Sequence, residues 1–265
     1  MQVVQHDVWR QLLWVSLAAV GLAVLLPLLA PSDPLLVTLS ERLQPPSSDH
    51  WLGTDELGRD MLSRLLVGIS STVAAAVLAL VAVTVVGVAA GSVAGYCAAR
   101  WPDHLFNAIA AVLTALPPLL VVVAVLGVVG SSLTGAYVVM ACLLWVTPAR
   151  VMRQQVMTVS GQDYVAASRI AGKSHTRLLV RVVVPNCIQT PMTVSMSMLT
   201  EVIALEAGLS FLGLGVQPPA PSLGRMIFEG LVQLGSGWWL TVFPAAALAT
   251  LILGFSLLLN RPEET

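Results

Sequence analysis

A tripeptide that could close a phosphate-binding loop, Gly172-Lys173-Ser174, lies in the second half of the chain. A loop of the G-x-x-x-x-G-K-[ST] type needs a glycine five positions before the second glycine, so that backbone N–H groups can wrap the phosphates. Ala167 occupies that position, and the residues AASRIAG that lead into the tripeptide favour a helix rather than a strand. The tripeptide therefore does not predict a nucleotide site.

Two acids, Glu201 and Glu206, lie in the apolar stretch 188–210. A carboxylate in a membrane-spanning segment is costly unless it faces the interior of the bundle or a wet cavity. On a helix the two would lie about 7 Å apart along the axis. Contact with a substrate amine, a proton relay and pairing with a neighbouring subunit all remain open for such an acid.

Residues for other chemistry are missing from the sequence. No HExxH or G-x-S-x-G motif occurs, and the histidines lie in loops or near the termini, at His6, His50, His104 and His175. The cysteines, Cys97, Cys142 and Cys187, are odd in number and lack metal-ligand spacing, which is typical of packing residues. We expect no catalytic residue, no metal site and no cofactor in this chain.

The composition indicates an all-α membrane protein. Hydrophobic residues make up 57% of the chain and charged residues 10%, and the mean hydropathy is +0.86; soluble domains carry about 25% charged residues. The net charge of −1 gives no basic excess for nucleic acid. Six apolar stretches are each long enough to cross about 30 Å of hydrocarbon, at 11–30, 71–96, 106–129, 135–152, 188–210 and 240–259. Prolines at Pro117-Pro118 and Pro148 predict kinks in two of them.

Arginine and lysine predict the orientation, because cytoplasmic loops carry an excess of both. With the N-terminus in the cytoplasm, nine of these residues lie inside and four lie outside. We therefore expect cytoplasmic N- and C-termini. The inside set is Arg10, Arg100, Arg150, Arg153, Arg169, Lys173, Arg177, Arg181 and Arg261, and the outside set is Arg42, Arg59, Arg64 and Arg225.

The organisation along the chain is that of one domain with an added N-terminal element. Residues 1–70 would form the first membrane helix and a long, acidic external loop, and residues 71–265 the main transmembrane domain with a basic loop at about 160–186. An external loop of about 40 residues exceeds an ordinary connection, which indicates that it carries a function or a structured cap.

Three blocks of sequence resemble the permease subunits of peptide- and nickel-type ABC importers, in particular the dipeptide/oligopeptide permease C subunits. The blocks are HWLGTDELGRDMLSRLLVG (50–68), YVAASRIAG with VVVPN (164–172 and 182–186) and EAGLSFLGLGVQPPAPSLGRMIFEG (206–230). The resemblance implies a type I importer permease fold in the cytoplasmic membrane of a bacterium. It also implies short peptides as substrates, with nickel, haem or glutathione as alternatives.

The second block is similar to the cytoplasmic signature E-A-A-x3-G-x9-I-x-L-P of these permeases, with Ala166 in place of the glutamate. The resemblance implies that this loop forms a short coupling helix that docks on a separate ATPase subunit. Tyr164, Ala167, Ser168 and Ala171 recur at i, i+3, i+4 and i+7, a small-sided strip that would permit close approach. Gly172 suits the end of that helix. The residues expected to couple are Asp163, Tyr164, Ala166, Ala167, Ser168, Arg169, Gly172, Lys173 and Pro185.

The resemblance further implies the partners: a second, homologous permease subunit, one or two ATPase subunits that bind ATP and Mg, an external substrate-binding protein and the surrounding lipid. The acidic external loop, with Asp55, Glu56, Arg59 and Asp60, would be one docking surface for the binding protein. A structural or gating role is implied for Glu206. The residues expected at the pathway or a gate are Glu201, Glu206, Phe211, Gly213 and Gly215.

Two other classes of protein explain the sequence less well. A proton-coupled secondary transporter would use Glu201 or Glu206 as proton carrier, but it has no need of a coupling signature, and no inverted repeat is visible. A membrane-embedded hydrolase would need a catalytic constellation, which the sequence lacks.

Overall fold

A computed structural model describes residues 2–130 and 133–259, and every regular element in these residues is helical. The all-α prediction is therefore confirmed. An isolated antiparallel bridge joins Thr54 to Asp60, a 3-10 turn spans Leu39–Glu41 and a π-type turn spans Leu179–Val183. The α-helices of the described residues are α1 (Gln2–Leu28), α2 (Met61–Tyr96), α3 (Trp101–Thr114), α4 (Pro118–Val129), α5 (Leu133–Leu144), α6 (Val146–Ser160), α7 (Asp163–Ile170), α8 (His175–Leu178), α9 (Val184–Cys187), α10 (Gln189–Ser197), α11 (Leu199–Phe211), α12 (Leu223–Val232) and α13 (Trp239–Leu259).

Helices that can cross a membrane account for much of the chain. Within the described residues four helical stretches are long and apolar enough: Met61–Tyr96, Gly135–Ser160, Gln189–Phe211 and Trp239–Leu259. The pair α3 and α4 meets the same criteria together, which makes five if the pair is one span. The apolar helix Leu17–Leu28, near the chain start, is shorter. Arg261, which entered the orientation argument, lies outside the described residues.

Prolines lie at the break between α3 and α4 and in the first turn of α6. The pair α3 and α4 is bent by 83°, and Pro117-Pro118 lies at that break because proline lacks an N–H and disfavours helical geometry in the preceding residue. Pro118 is the first residue of α4, a position where the missing N–H breaks no helical hydrogen bond. Pro148 lies in the first turn of α6 for the same reason.

The residues fall into two compact units, each assembled from separate stretches of chain. The first comprises Met1–Leu12, Ala79–Val121 and Val139–Met198, and the second comprises Leu13–Leu78, Val122–Val138 and Leu199–Thr265.

In the first unit a row of glycines lets α2 approach α6 closely. A Cβ on Gly91 would collide with the carbonyl oxygen of Ala149, and one on Gly95 would come within 2.5 Å of the carbonyl oxygen of Arg153. A bidentate ion pair joins α3 to α6, since Arg153 Nε lies 2.5 Å from Asp103 Oδ1 and Arg153 Nη2 lies 2.9 Å from Asp103 Oδ2. Close backbone packing and a paired charge thus hold these three helices together.

The second unit contains the helices that follow residue 199. Gly224 of α12 packs on the backbone of Ala207 in α11, where a Cβ would collide with the Ala207 carbonyl oxygen, and Gly230 packs on Leu240 at the start of α13. Ser222 begins α12 as its N-cap, its Oγ accepting a hydrogen bond from the backbone N–H of Arg225 at 3.4 Å. These contacts place α12 against both neighbours.

Candidate functional site

The helix α7 is an exposed helix held by a single buried side chain. Val165 is fully buried, whereas the other residues of α7 are exposed or, for Ser168, half-buried. The apolar cluster around Val165 comes from the flanking elements of the first unit, and its other buried members are Met152, Val156, Leu178, Val183 and Cys187. This cluster fixes the position of α7 and leaves most of the helix surface uncovered.

The uncovered face of α7 is mostly apolar. At 100° per residue, Tyr164, Ala167 and Ile170 lie on the side away from Val165, together with the exposed Asp163 of the first turn, and Ile170 is 88% exposed. An exposed face of this kind suits contact with another protein. The strip predicted from sequence contained Tyr164 and Ala167 but missed Ile170, because sequence alone does not tell which of two branched apolar residues, Val165 or Ile170, points inward.

The end of α7 explains the glycine of the Gly-Lys-Ser tripeptide. Gly172 has a φ of +79°, its N–H donates to the carbonyl of Arg169 at 3.0 Å, and the N–H of Lys173 donates to the carbonyl of Ser168 at 3.4 Å. This pair of bonds is a Schellman motif, in which glycine is preferred because a side chain is strained at positive φ. The tripeptide therefore ends a helix.

The residues around Gly172 present a basic, exposed surface. Arg169, Lys173, Arg177 and Arg181 are exposed, and none of them forms an ion pair with another described residue. The loop is tied to the end of α2 through the Tyr96 hydroxyl, which lies 2.9 Å from His175 Nδ1. Pro185 is exposed as the second residue of the short helix α9.

The acidic segment before α2 is built on buried ion pairs and on a hydrogen bond between a carboxylate and a histidine. Asp55 Oδ2 lies 2.6 Å from Arg59 Nε and 3.3 Å from Arg64 Nε, and Asp60 Oδ1 lies 3.0 Å from His50 Nδ1. Arg64 also binds Glu229 of α12, with 3.1 Å between Nη2 and Oε2. Glu229 was not expected from sequence to contact this segment, since pairing across so many residues leaves no local pattern.

These ion pairs decide which residues of the segment face outward. Asp55, Arg59 and Asp60 are buried, and Glu56 is half-buried, with its Oε2 accepting a hydrogen bond from Gln233 Nε2 at 3.4 Å. The exposed surface of the segment comes instead from residues such as Arg42, Asp49 and Trp51.

Glu206 lies in the junction between α11 and the turn that follows it. Its side chain is buried, and its Oε1 accepts a hydrogen bond from Ser210 Oγ at 2.7 Å; that hydroxyl in turn accepts one from the N–H of Val216 at 3.2 Å. Gly215 packs directly on Ser210, where any Cβ would collide, and Gly213 has a φ of +78°. The arrangement ties the carboxyl to the fold of this turn.

Two other residues expected at the pathway lie differently. Phe211 is half-buried, with its ring edge-to-face on Phe228 at 5.8 Å between centroids. Glu201 is exposed, and within the described residues its carboxylate has neither an ion pair nor a hydrogen bond. Glu201 and Glu206 therefore occupy opposite environments on one helix.

Comparison with known proteins identifies similar transport components. Residues 87–261 match the family described as "Binding-protein-dependent transport system inner membrane component". The chain is 36% identical to the dipeptide transport system permease protein DppC of Bacillus subtilis, over 96% of this chain and 82% of that protein. It is 35% identical to the oligopeptide transport system permease protein OppC of the same organism, over 93% of this chain and 82% of the relative. The glutathione transport system permease protein GsiD of Pectobacterium atrosepticum is 33% identical, over 96% of this chain and 87% of the relative.

A solved structure shares the fold. The crystal structure of an amino acid ABC transporter with histidines superposes with a TM-score of 0.56 at 17% sequence identity, covering 74% of this chain and 91% of that chain. At this identity the likeness concerns the helical architecture alone.

Proposed function

The chain belongs to the family of binding-protein-dependent transport system inner membrane components, and on this premise we propose that it forms half of the translocation pathway for short peptides. It is the permease subunit of an ABC importer, a membrane component without catalytic activity, and ATP binds to the partner ATPase. Short peptides are favoured because relatives over most of the chain are named for dipeptides and oligopeptides. Glutathione is the second candidate, supported by the similarity to GsiD.

The exposed apolar face of α7 is the observation that carries the proposal. Tyr164, Ala167 and Ile170 face away from the cluster that anchors Val165, so an ATPase subunit can cover them without disturbing the fold. The four basic residues around the helix are free to pair with acids on that subunit. Burial of one large apolar side chain contributes about 1.5–3 kcal/mol to such an interface.

The segment before α2 is proposed to dock the external binding protein. Asp55, Arg59 and Asp60 would act as its scaffold, because their charges are satisfied within the segment, while Glu56 and the exposed Arg42, Asp49 and Trp51 would meet the partner. A rigid scaffold lowers the entropic cost of forming such an interface.

The topology proposed is six membrane spans with both termini in the cytoplasm. The first span would run through 11–30 and the bent pair α3 and α4 would count as one, with residues 1–70 forming an added element before the transmembrane domain at 71–265. The support is the arginine and lysine count and the apolar length of α1. Glu206, Phe211, Gly213 and Gly215 would shape the external end of the pathway, and Glu201 would face its interior.

The experiment that tests the proposal is purification of the complex expressed from its native operon, with mass spectrometry of the co-purifying chains. We expect a second, homologous permease and one or two ATPase subunits. A chain that purifies alone, and transports a dipeptide in liposomes without ATP, would overturn the proposal.

The topology is tested separately by cysteine labelling in intact cells. Ser174→Cys in the exposed loop after α7 should react only with reagents that reach the cytoplasm, and the parent chain treated in the same way is the control. Labelling by an impermeant reagent from outside would invert the orientation.

A further inference from the structure

The exposed face of the span Gln189–Phe211 is largely polar, whereas that of α2 is apolar. On α2 the exposed residues of the spanning part are uniformly apolar: Leu78, Val81, Ala82, Val85, Val86, Ala89 and Val93. In the span Gln189–Phe211 the exposed residues are Thr190, Thr193, Ser197, Glu201 and Ala204. Their spacing of three or four residues is that of one helix face. The face on α2 suits lipid, and the polar face does not.

Glu201 is the charged member of this polar face and lies near the middle of the span. At 1.5 Å per residue it is about 18 Å from one end and about 15 Å from the other. Its carboxylate has no partner among the described residues, whereas Glu206 is buried and bonded to Ser210. The carboxyl of Glu206 therefore takes part in the hydrogen bonding of the fold, whereas the carboxylate of Glu201 does not.

The surroundings of Glu201 leave room for a ligand. Ala204, three residues on, is exposed, and Gly208 is half-exposed with no atom within 4 Å of a Cβ built on it. The helix face beyond Glu201 thus carries small side chains that leave space beside the carboxylate.

An uncompensated carboxylate at this depth is costly in lipid, so a wet pathway or a cation must face it. We propose that Glu201 is a subsite of the translocation pathway that binds the protonated amine of the passing substrate. The inference rests on the proposed function, in which a short peptide brings an N-terminal ammonium group. A metal ion fits less well, because no group of three or more His, Cys, Asp or Glu in the described residues could hold one. A single charge-assisted contact also suits a site that must release its ligand.

The first test uses the assembled importer in proteoliposomes, with loaded binding protein and radiolabelled Ala-Ala. Glu201→Gln should lower ATP-driven uptake about 10-fold, while Glu201→Asp, which keeps the charge, should remain within about 3-fold of the parent. ATP hydrolysis stimulated by the loaded binding protein should persist in both, since α7 is untouched. Unchanged uptake by Glu201→Gln would overturn the subsite.

The second test restores the charge chemically in Glu201→Cys, with the parent chain as control for the native cysteines. A small anionic methanethiosulfonate reagent should recover much of the lost uptake, and a cationic reagent of similar size should not. Equal effects of the two reagents, or no reaction at position 201 in the assembled importer, would overturn the proposal.

The outcomes separate this inference from the proposed function. If the second permease no longer co-purifies with Glu201→Gln, the carboxylate pairs with that subunit and the subsite is wrong, although the importer stands. If the parent complex shows no ATP-dependent uptake, the proposed function itself fails.

Discussion

Removal of the exposed apolar side chain of α7 should weaken ATPase binding without weakening the fold. Ile170 is 88% exposed, so Ile170→Ala takes almost nothing from the packing of the chain itself, and alanine favours the helix. If Ile170 is buried on docking, losing three of its four side-chain carbons at about 0.8 kcal/mol each removes about 2.4 kcal/mol. That energy corresponds to an affinity lower by about 50-fold.

The assay is titration of purified ATPase subunits onto the permease complex in nanodiscs, with the thermal melting of each variant measured alongside. Val180→Ala is the matched control, because Val180 is an exposed apolar residue of the same loop that lies outside α7. Val165→Ala should behave in the opposite way, lowering the melting temperature through a loss of about 2 kcal/mol of buried packing. An unchanged affinity for Ile170→Ala, or a lowered melting temperature, would refute the assignment of this face.

Three further substitutions test the end of α7, the ion pair between α3 and α6, and the ion pairs of the segment before α2. Gly172→Val should destabilise the end of α7 by about 1–2 kcal/mol and Gly172→Asn by less, because asparagine tolerates positive φ; equal melting temperatures would contradict this. Asp103→Ala should cost about 2 kcal/mol, since Arg153 loses both hydrogen bonds in a half-buried setting, and melting that matches the parent would show that the pair contributes nothing. Arg64→Met should leave Asp55 and Glu229 without their shared cation and lower the free energy of unfolding by about 3 kcal/mol. Residues 31–60 should then be cleaved by protease more readily than in Arg42→Met, the control at an exposed arginine.

Local sequence patterns predicted those features that depend on local chemistry. The helix end at Gly172 follows from a glycine after a helical run, and the break between α3 and α4 lies at the proline pair that predicted a kink. The bend of 83° has no sequence signal, because it depends on what α3 and α4 pack against.

The acidic segment before α2 shows the limit of such patterns. Its acids suggested a docking surface, but Asp55 is buried by Arg59, four residues away, and by Arg64, which also binds Glu229 of α12. Only the tertiary fold brings Glu229 to Arg64, so the distinction between a buried scaffold and an exposed surface was beyond the sequence. For the same reason the sequence alone could not predict that Val165 is the buried side chain of α7 and that Ile170 is exposed.

The most direct test of the central claim is dipeptide uptake by purified components in proteoliposomes. The chain, its co-purifying permease and ATPase subunits and the external binding protein would be combined, and each would be omitted in turn. We expect uptake that requires ATP, the ATPase subunits and the binding protein together. Uptake by this chain alone, without ATP and driven by a proton gradient, would contradict it.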